Sequence, residues 1–181
     1  MNATVFLIET LFNLYLMVII LRIWLQAARA DFYNPFSQFV VKATQPVIAP
    51  LRRFVPSLGS LDSASLLFAF VVAGIKIALL NTFFGAGFPP MISLLLTAVL
   101  TVLSEFLSLL FFILIIRAIL SWVSQGGNPI EYVMQQLTEP MLAPIRKIIP
   151  PMGGLDLSVL ILIIALQFLR ILLGDIFGPI F

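Results

Sequence analysis

NPFSQFVVKATQPVIAPLRRFVPSLGSLD, residues 34–62, returns ninety-four positions later as NPIEYVMQQLTEPMLAPIRKIIPPMGGLD, residues 128–156. Eleven of the twenty-nine paired positions are identical, among them Asn34/Asn128, Thr44/Thr138, Arg52/Arg146, Gly59/Gly153, Asp62/Asp156 and four prolines. Arg53 pairs with Lys147, and downstream Lys76 falls on Arg170, while upstream Arg22 meets Arg117 after a one-residue slip. Shared greasiness does not align prolines, so the pairing marks an internal repeat. Each unit reads as helix, polar connector, helix. An even helix count leaves both units in the same orientation, so residues 1–90 and 91–181 are expected to form parallel repeats about an axis normal to a membrane.

The residues around the connectors supply that membrane. Of 181 residues, 61% are apolar and 10% charged, where soluble domains carry about 25% charged residues. The apolar residues gather into blocks at 4–25, 64–84, 91–123 and 157–177, each able to supply the roughly 20 residues a helix needs to cross a bilayer. No block alternates apolar and polar residues as a barrel strand would, which predicts an all-α membrane protein with four transmembrane helices. The first block is read as a retained helix and not a signal peptide, because no basic residue precedes it and Glu9 interrupts it. In the second repeat the alignment starts the span near Val99, leaving 91–98 in the outer interface or beyond it.

The chain has no cysteine and no histidine. That removes Cys-His zinc sites, disulfides, histidine or thiolate haem ligation and Ser-His or Cys-His nucleophile pairs. No cofactor is expected, and the net charge of +2 gives no reason to expect a nucleic acid partner. The charges are placed unevenly. Arg29, Lys42, Arg52 and Arg53 lie in the first connector and Arg146 and Lys147 in the second, whereas the 85–90 loop has none. Positive residues favour the cytoplasmic side, so both connectors are expected inside and both termini outside. Trp24 and Trp122, just before the connectors, suit an interfacial aromatic belt.

Within each connector, Asn34-Pro35 and Asn128-Pro129 read as helix starts, with asparagine capping and proline at the first helical position. Phe36, Phe39, Val40 and Ala43 then follow helical spacing, as do Ile130, Val133, Met134 and Leu137. This predicts short amphipathic helices of about 11 residues, ended by Pro46 and Pro140. Their apolar stripes have three possible supports: the transmembrane helices, the leaflet or a partner. A single further turn is expected over 50–55 and over 144–149. Arg52, Arg53, Arg146 and Lys147 there are candidates for anionic headgroups or an acidic partner. Asp62 and Asp156 read either as N-caps of the next helix or as ion-pair partners of Arg22 and Arg117.

Four charges fall inside apolar runs: Glu9, Lys76, Glu105 and Arg170. An unpaired charge at mid-membrane costs at least about 2.5 kcal/mol. Counting residues from the connectors puts Glu9 level with Lys76 and Glu105 level with Arg170, which predicts two ion pairs. Separate snorkelling and a hydrated ion path are the alternatives. Lys76 with Ser65 or Thr82 has no catalytic spacing, so no enzyme is expected.

Read with Arg22 or Arg117 upstream, the doubled N-P…P-x-x-x-P-[LI]-R-[RK]-x-x-P…G-x-L-D pattern resembles the YggT family, also called YlmG, in its two-repeat proteobacterial form. The resemblance covers essentially the whole chain and implies a four-helix inner-membrane protein. Family members are associated with osmotic or ion stress, with cell-division gene neighbourhoods and, in plastids, with cytochrome assembly or nucleoid distribution. No catalytic residue carries over. The first connector departs from the second at Phe36, Ser60 and Ser63. Two functions are expected from this: a scaffold or assembly factor working through its connectors with a membrane-protein partner or a second copy, or an ion transport component.

Overall fold

The computed structural model describes residues 2–57, 59, 61–85, 87–123, 128–149, 157–178 and 180–181, with residues 122 and 123 described by backbone alone. It is all-helical: α1 (Ala3–Ala27), α2 (Pro35–Leu51), α3 (Ser63–Phe83), α4 (Met91–Val123), α5 (Pro129–Ile148) and α6 (Leu157–Phe177). Helices α1, α3, α4 and α6 are long and apolar enough to span a membrane. Large side chains such as Phe6, Leu14, Ile164 and Phe168 stand exposed on them, as expected where the surrounding solvent is hydrocarbon.

Helix α1 packs on α2, α3 and α4; α3 packs on α4; α4 carries α5 and α6; and α2 touches α5. Fully buried Ala69 and Ala73 on α3 let its backbone approach α1 closely, the usual device where no hydrophobic effect drives helices together. Tyr15 meets Phe68 edge-on at 5.9 Å between ring centres. Trp24 is buried with its ring 5.3 Å from that of Phe106, so it packs inside the bundle and not in a headgroup belt. The side chain of Trp122 lies outside the described residues. Residues 91–98 are part of one continuous α4 and run beside α3, where Leu94 and Ala98 share a groove with Gly74 and Ala78.

The amphipathic helices differ from the sequence expectation in length and in facing. Both run through their prolines, α2 through Pro46 and Pro50 and α5 through Pro140 and Pro144. Prolines four apart share one helix face. Here that face is exposed, with Lys42, Pro46 and Pro50 all open to the surroundings. The carbonyls of Lys42 and Pro46, which lose their helical donors, therefore belong to residues on the outside. On the inner side a transmembrane arginine clamps the turn before the first proline of each helix. The buried face is Ser37, Val40, Thr44 and Ile48 in α2, and Val133, Met134, Leu137, Thr138 and Leu142 in α5. Phe39 and Ile130, which the spacing sets on the apolar stripes, are 62% and 42% exposed.

Candidate functional site

The asparagine caps form as the sequence indicates. Asn34 Oδ1 accepts from Phe36 N and Asn128 Oδ1 from Ile130 N, each at 2.9 Å. Asn34 does more than its counterpart: its Nδ2 donates to Pro129 O at 2.7 Å. With Gln136 Oε1 accepting from Asp31 N at 3.0 Å, this bond ties one connector to the other.

Arg22, near the end of α1, donates through Nη1 to Thr44 Oγ1 at 2.7 Å and to Val41 O at 3.3 Å, and through Nη2 to Gln45 Oε1 at 2.7 Å. These groups lie immediately before Pro46. Thr44 also donates back to Val40 O at 2.8 Å, a local bond that bends helices. Arg22 Nε lies 3.6 Å from Asp62 Oδ2. Asp62 in turn accepts Ser65 N and Ser65 Oγ and the Nε and Nη2 of Arg52, so it caps α3 and pairs with two arginines at once. Burial alone would raise its carboxyl, but hydrogen bonds from Arg52 and Ser65 outweigh that and hold it below the usual carboxylate range.

The second connector repeats the clamp with different chemistry. Arg117 Nη1 donates to Thr138 Oγ1, which donates to Met134 O at 2.7 Å. Arg117 Nη2 lies 3.2 Å from Glu139 Oε2, and Arg146 Nη1 lies 2.7 Å from Glu139 Oε1. The pairing of Arg117 with Asp156 falls outside the described residues. Arg52 and Arg146 thus hold carboxylates of their own chain, whereas Arg53 and Lys147 are exposed. Sequence reading passed over Gln45, Glu139 and the two threonines as site residues. The identity of Thr44 and Thr138, each two residues before a matched proline, was the available signal.

Inside the bundle neither predicted ion pair is made directly. Lys76 Nζ donates instead to Asn13 Oδ1 at 2.5 Å, one helical turn along α1 from Glu9, about 6 Å by helix rise. Counting residues therefore misjudged the depth by one turn. The charges of Glu105 and Glu9 both act on Lys76, and those of Lys76 and Arg170 on Glu105. The expected pairs are replaced by a looser set of four charges in which Glu105 of α4 answers to both α3 and α6. Among the described residues no three His, Cys, Asp or Glu side chains gather where a metal ion could sit.

A helical bundle with four apolar spans, and amphipathic helices clamped to it by buried arginines, defines a multi-pass membrane protein. The model of the CCB3/YggT family matches residues 1–83 and 96–177; the chain belongs to that family. It is 61% identical to an uncharacterized Vibrio alginolyticus protein, covering 99% of this chain and 98% of that one. The uncharacterized protein YggT of Escherichia coli K12 is 48% identical over 97% of this chain and 92% of its own, and an uncharacterized Pseudomonas aeruginosa protein 43% identical over 94% and 88%. No solved structure matches.

Proposed function

We propose that the protein is a non-enzymatic inner-membrane scaffold built from two repeats, with its amphipathic helices forming one cytoplasmic platform for a membrane-protein partner or a second copy. The supporting observation is the cross-bracing. Asn34 and Asp31 bond α5 and its cap region, and Arg22 and Arg117 fix each amphipathic helix to a span. A surface held this way pays little ordering entropy on docking, the advantage of preorganisation. Its rim offers Tyr33, Phe39, Phe54 and Ile148, each more than half exposed, beside Arg53 and Lys147. The connectors' arginines and lysines support the cytoplasmic placement. Photo-crosslinking in living cells from positions 33, 39 and 148 tests it: discrete protein adducts are expected, and labelling of lipid alone sinks the scaffold reading.

A second reading, ion transport under osmotic or ion stress, draws on the four intramembrane charges, because such residues mark ion and proton paths. Liposome flux with Lys76→Leu and Arg170→Leu separates the two. Flux abolished by those changes supports transport; no flux in the unaltered protein removes it.

A further inference from the structure

Two clefts lie beside the clamped arginines at positions matched by the sequence pairing. The first, about 360 Å³, is lined by Arg22, Gln26, Phe32, Val41, Gln45 and Arg52. The second, about 540 Å³, includes Arg117, Ser121, Gln135 and Arg146, the counterparts of Arg22, Gln26, Val41 and Arg52. Their hydrogen-bonding inventories differ.

In the first cleft the side-chain acceptors already face guanidinium groups of the chain. Gln26 Oε1 takes Arg52 Nη2 at 3.0 Å and Gln45 Oε1 takes Arg22 Nη2 at 2.7 Å. Each amide oxygen is thus turned to a guanidinium, and each glutamine's NH₂ group, a double donor, has no partner among the described residues. Arg52 binds Asp62 and Gln26 through Nε and Nη2, leaving the Nη1 donors open. Two guanidinium groups share the single buried carboxylate of Asp62, and no carboxylate lines the cleft. The lining therefore offers unpartnered donors and an excess positive charge. Against two arginines of the second cleft, Arg117 and Arg146, the chain sets Glu139, the sequence counterpart of Gln45. Glu131 lines that cleft, and its buried Oε2 has no hydrogen-bond partner among the described residues. An anion entering there meets an open acceptor.

The geometry points to the first cleft as a binding site for the phosphate of an anionic phospholipid headgroup, received by Arg52 Nη1 and the Gln26 and Gln45 amides, a site the second cleft does not reproduce. A phosphate is all acceptor and gains most from charge-assisted donors. Phe32, 42% exposed, and Val41 supply an apolar wall that an acyl chain covers and free phosphate does not. The cleft also lies beside the last turns of a helix long and apolar enough to span a membrane, and headgroups gather where such a helix leaves the hydrocarbon.

Native mass spectrometry of the purified full chain, with phosphatidylglycerol, phosphatidylcholine or inorganic phosphate added, tests the assignment. Phosphatidylglycerol is expected to be retained best. Gln45→Glu, which copies Glu139, should weaken its retention roughly tenfold or more by adding a negative charge at contact range. That variant should keep its fold, since Arg117 accommodates the same carboxylate. If it does not fold, Gln26→Glu adds the charge from the other wall and should show the same loss. Lys42→Gln, which removes an exposed charge outside the cleft, should leave retention unchanged. Equal retention by wild type and the glutamate variants overturns the site, as does an equal loss in Lys42→Gln. Equal retention of phosphatidylcholine overturns the preference for anionic lipid, and binding of inorganic phosphate that lipid does not displace overturns the lipid source.

Discussion

Asp62 gathers four hydrogen bonds from Arg52 and Ser65 and faces Arg22 as well. Removing one partner from a buried charge group leaves the others uncompensated, so Asp62→Ala should lower stability by about 3 kcal/mol or more. Its pH behaviour follows from the depressed carboxyl. An unfolded aspartate titrates near about 3.9. Above that value the stabilisation is fully present; as pH falls, the unfolded chain takes up the proton first, and the contribution disappears as pH passes down through the folded value. Thermal melts over an acid series should therefore fall more steeply for wild type than for Asp62→Asn, and parallel curves would refute the assignment. Sequence offered a cap or an ion pair for Asp62, and the side chain does both. Local spacing could place it at the helix start, but the approach of Arg22 and Arg52 depends on how α1 and α2 fold back upon it.

At the scale of elements, the two amphipathic helices begin alike and are held differently. Loss of an asparagine cap costs about 1 kcal/mol, and Asn128→Ala should cost that much. Asn34→Ala should cost measurably more, because it also breaks the Nδ2 bond to Pro129 O. Chemical denaturation of the two variants in matched detergent checks this, and equal losses would show that the cross-brace contributes nothing. The helix starts were legible because capping chemistry is local. The helix ends were not, because a proline's helix-breaking tendency is a statement about an isolated chain. Here Arg22 and Arg117 grip Thr44 and Thr138 in the turn before each proline, and the tertiary contact overrides it. The same grip turns Ser37 inward and leaves Phe39 outside, which apolar spacing alone could not anticipate.

For the whole molecule, the four spans were legible from composition, since few chains can bury so much apolar surface in any other way. The wiring between them was not. Residue counting placed Glu9 opposite Lys76, yet the register of α1 against α3 presents Asn13, and α4 brings Glu105 toward Lys76 as well as Arg170. Glu105 is thus a link between helices from opposite ends of the chain. In a double-mutant cycle, Lys76→Leu and Glu105→Leu should each destabilise, and the pair together should cost less than their sum by about 0.5 kcal/mol or more. Strict additivity, read from unfolding in mixed micelles, would sever that link.

The uneven packing of the spans bears on how the protein is made. Helix α3 lies against both α1 and α4, whereas α6 leans on α4 and α5, with 17% of its apolar window buried against 39% for α4. Helix α6 leaves the ribosome after the other five. By then α4 can already have closed on α1 and α3, so the late helix docks onto a finished surface instead of completing a core. The order of synthesis and the depth of burial therefore run together: the span that emerges last is also the one least enclosed by its neighbours.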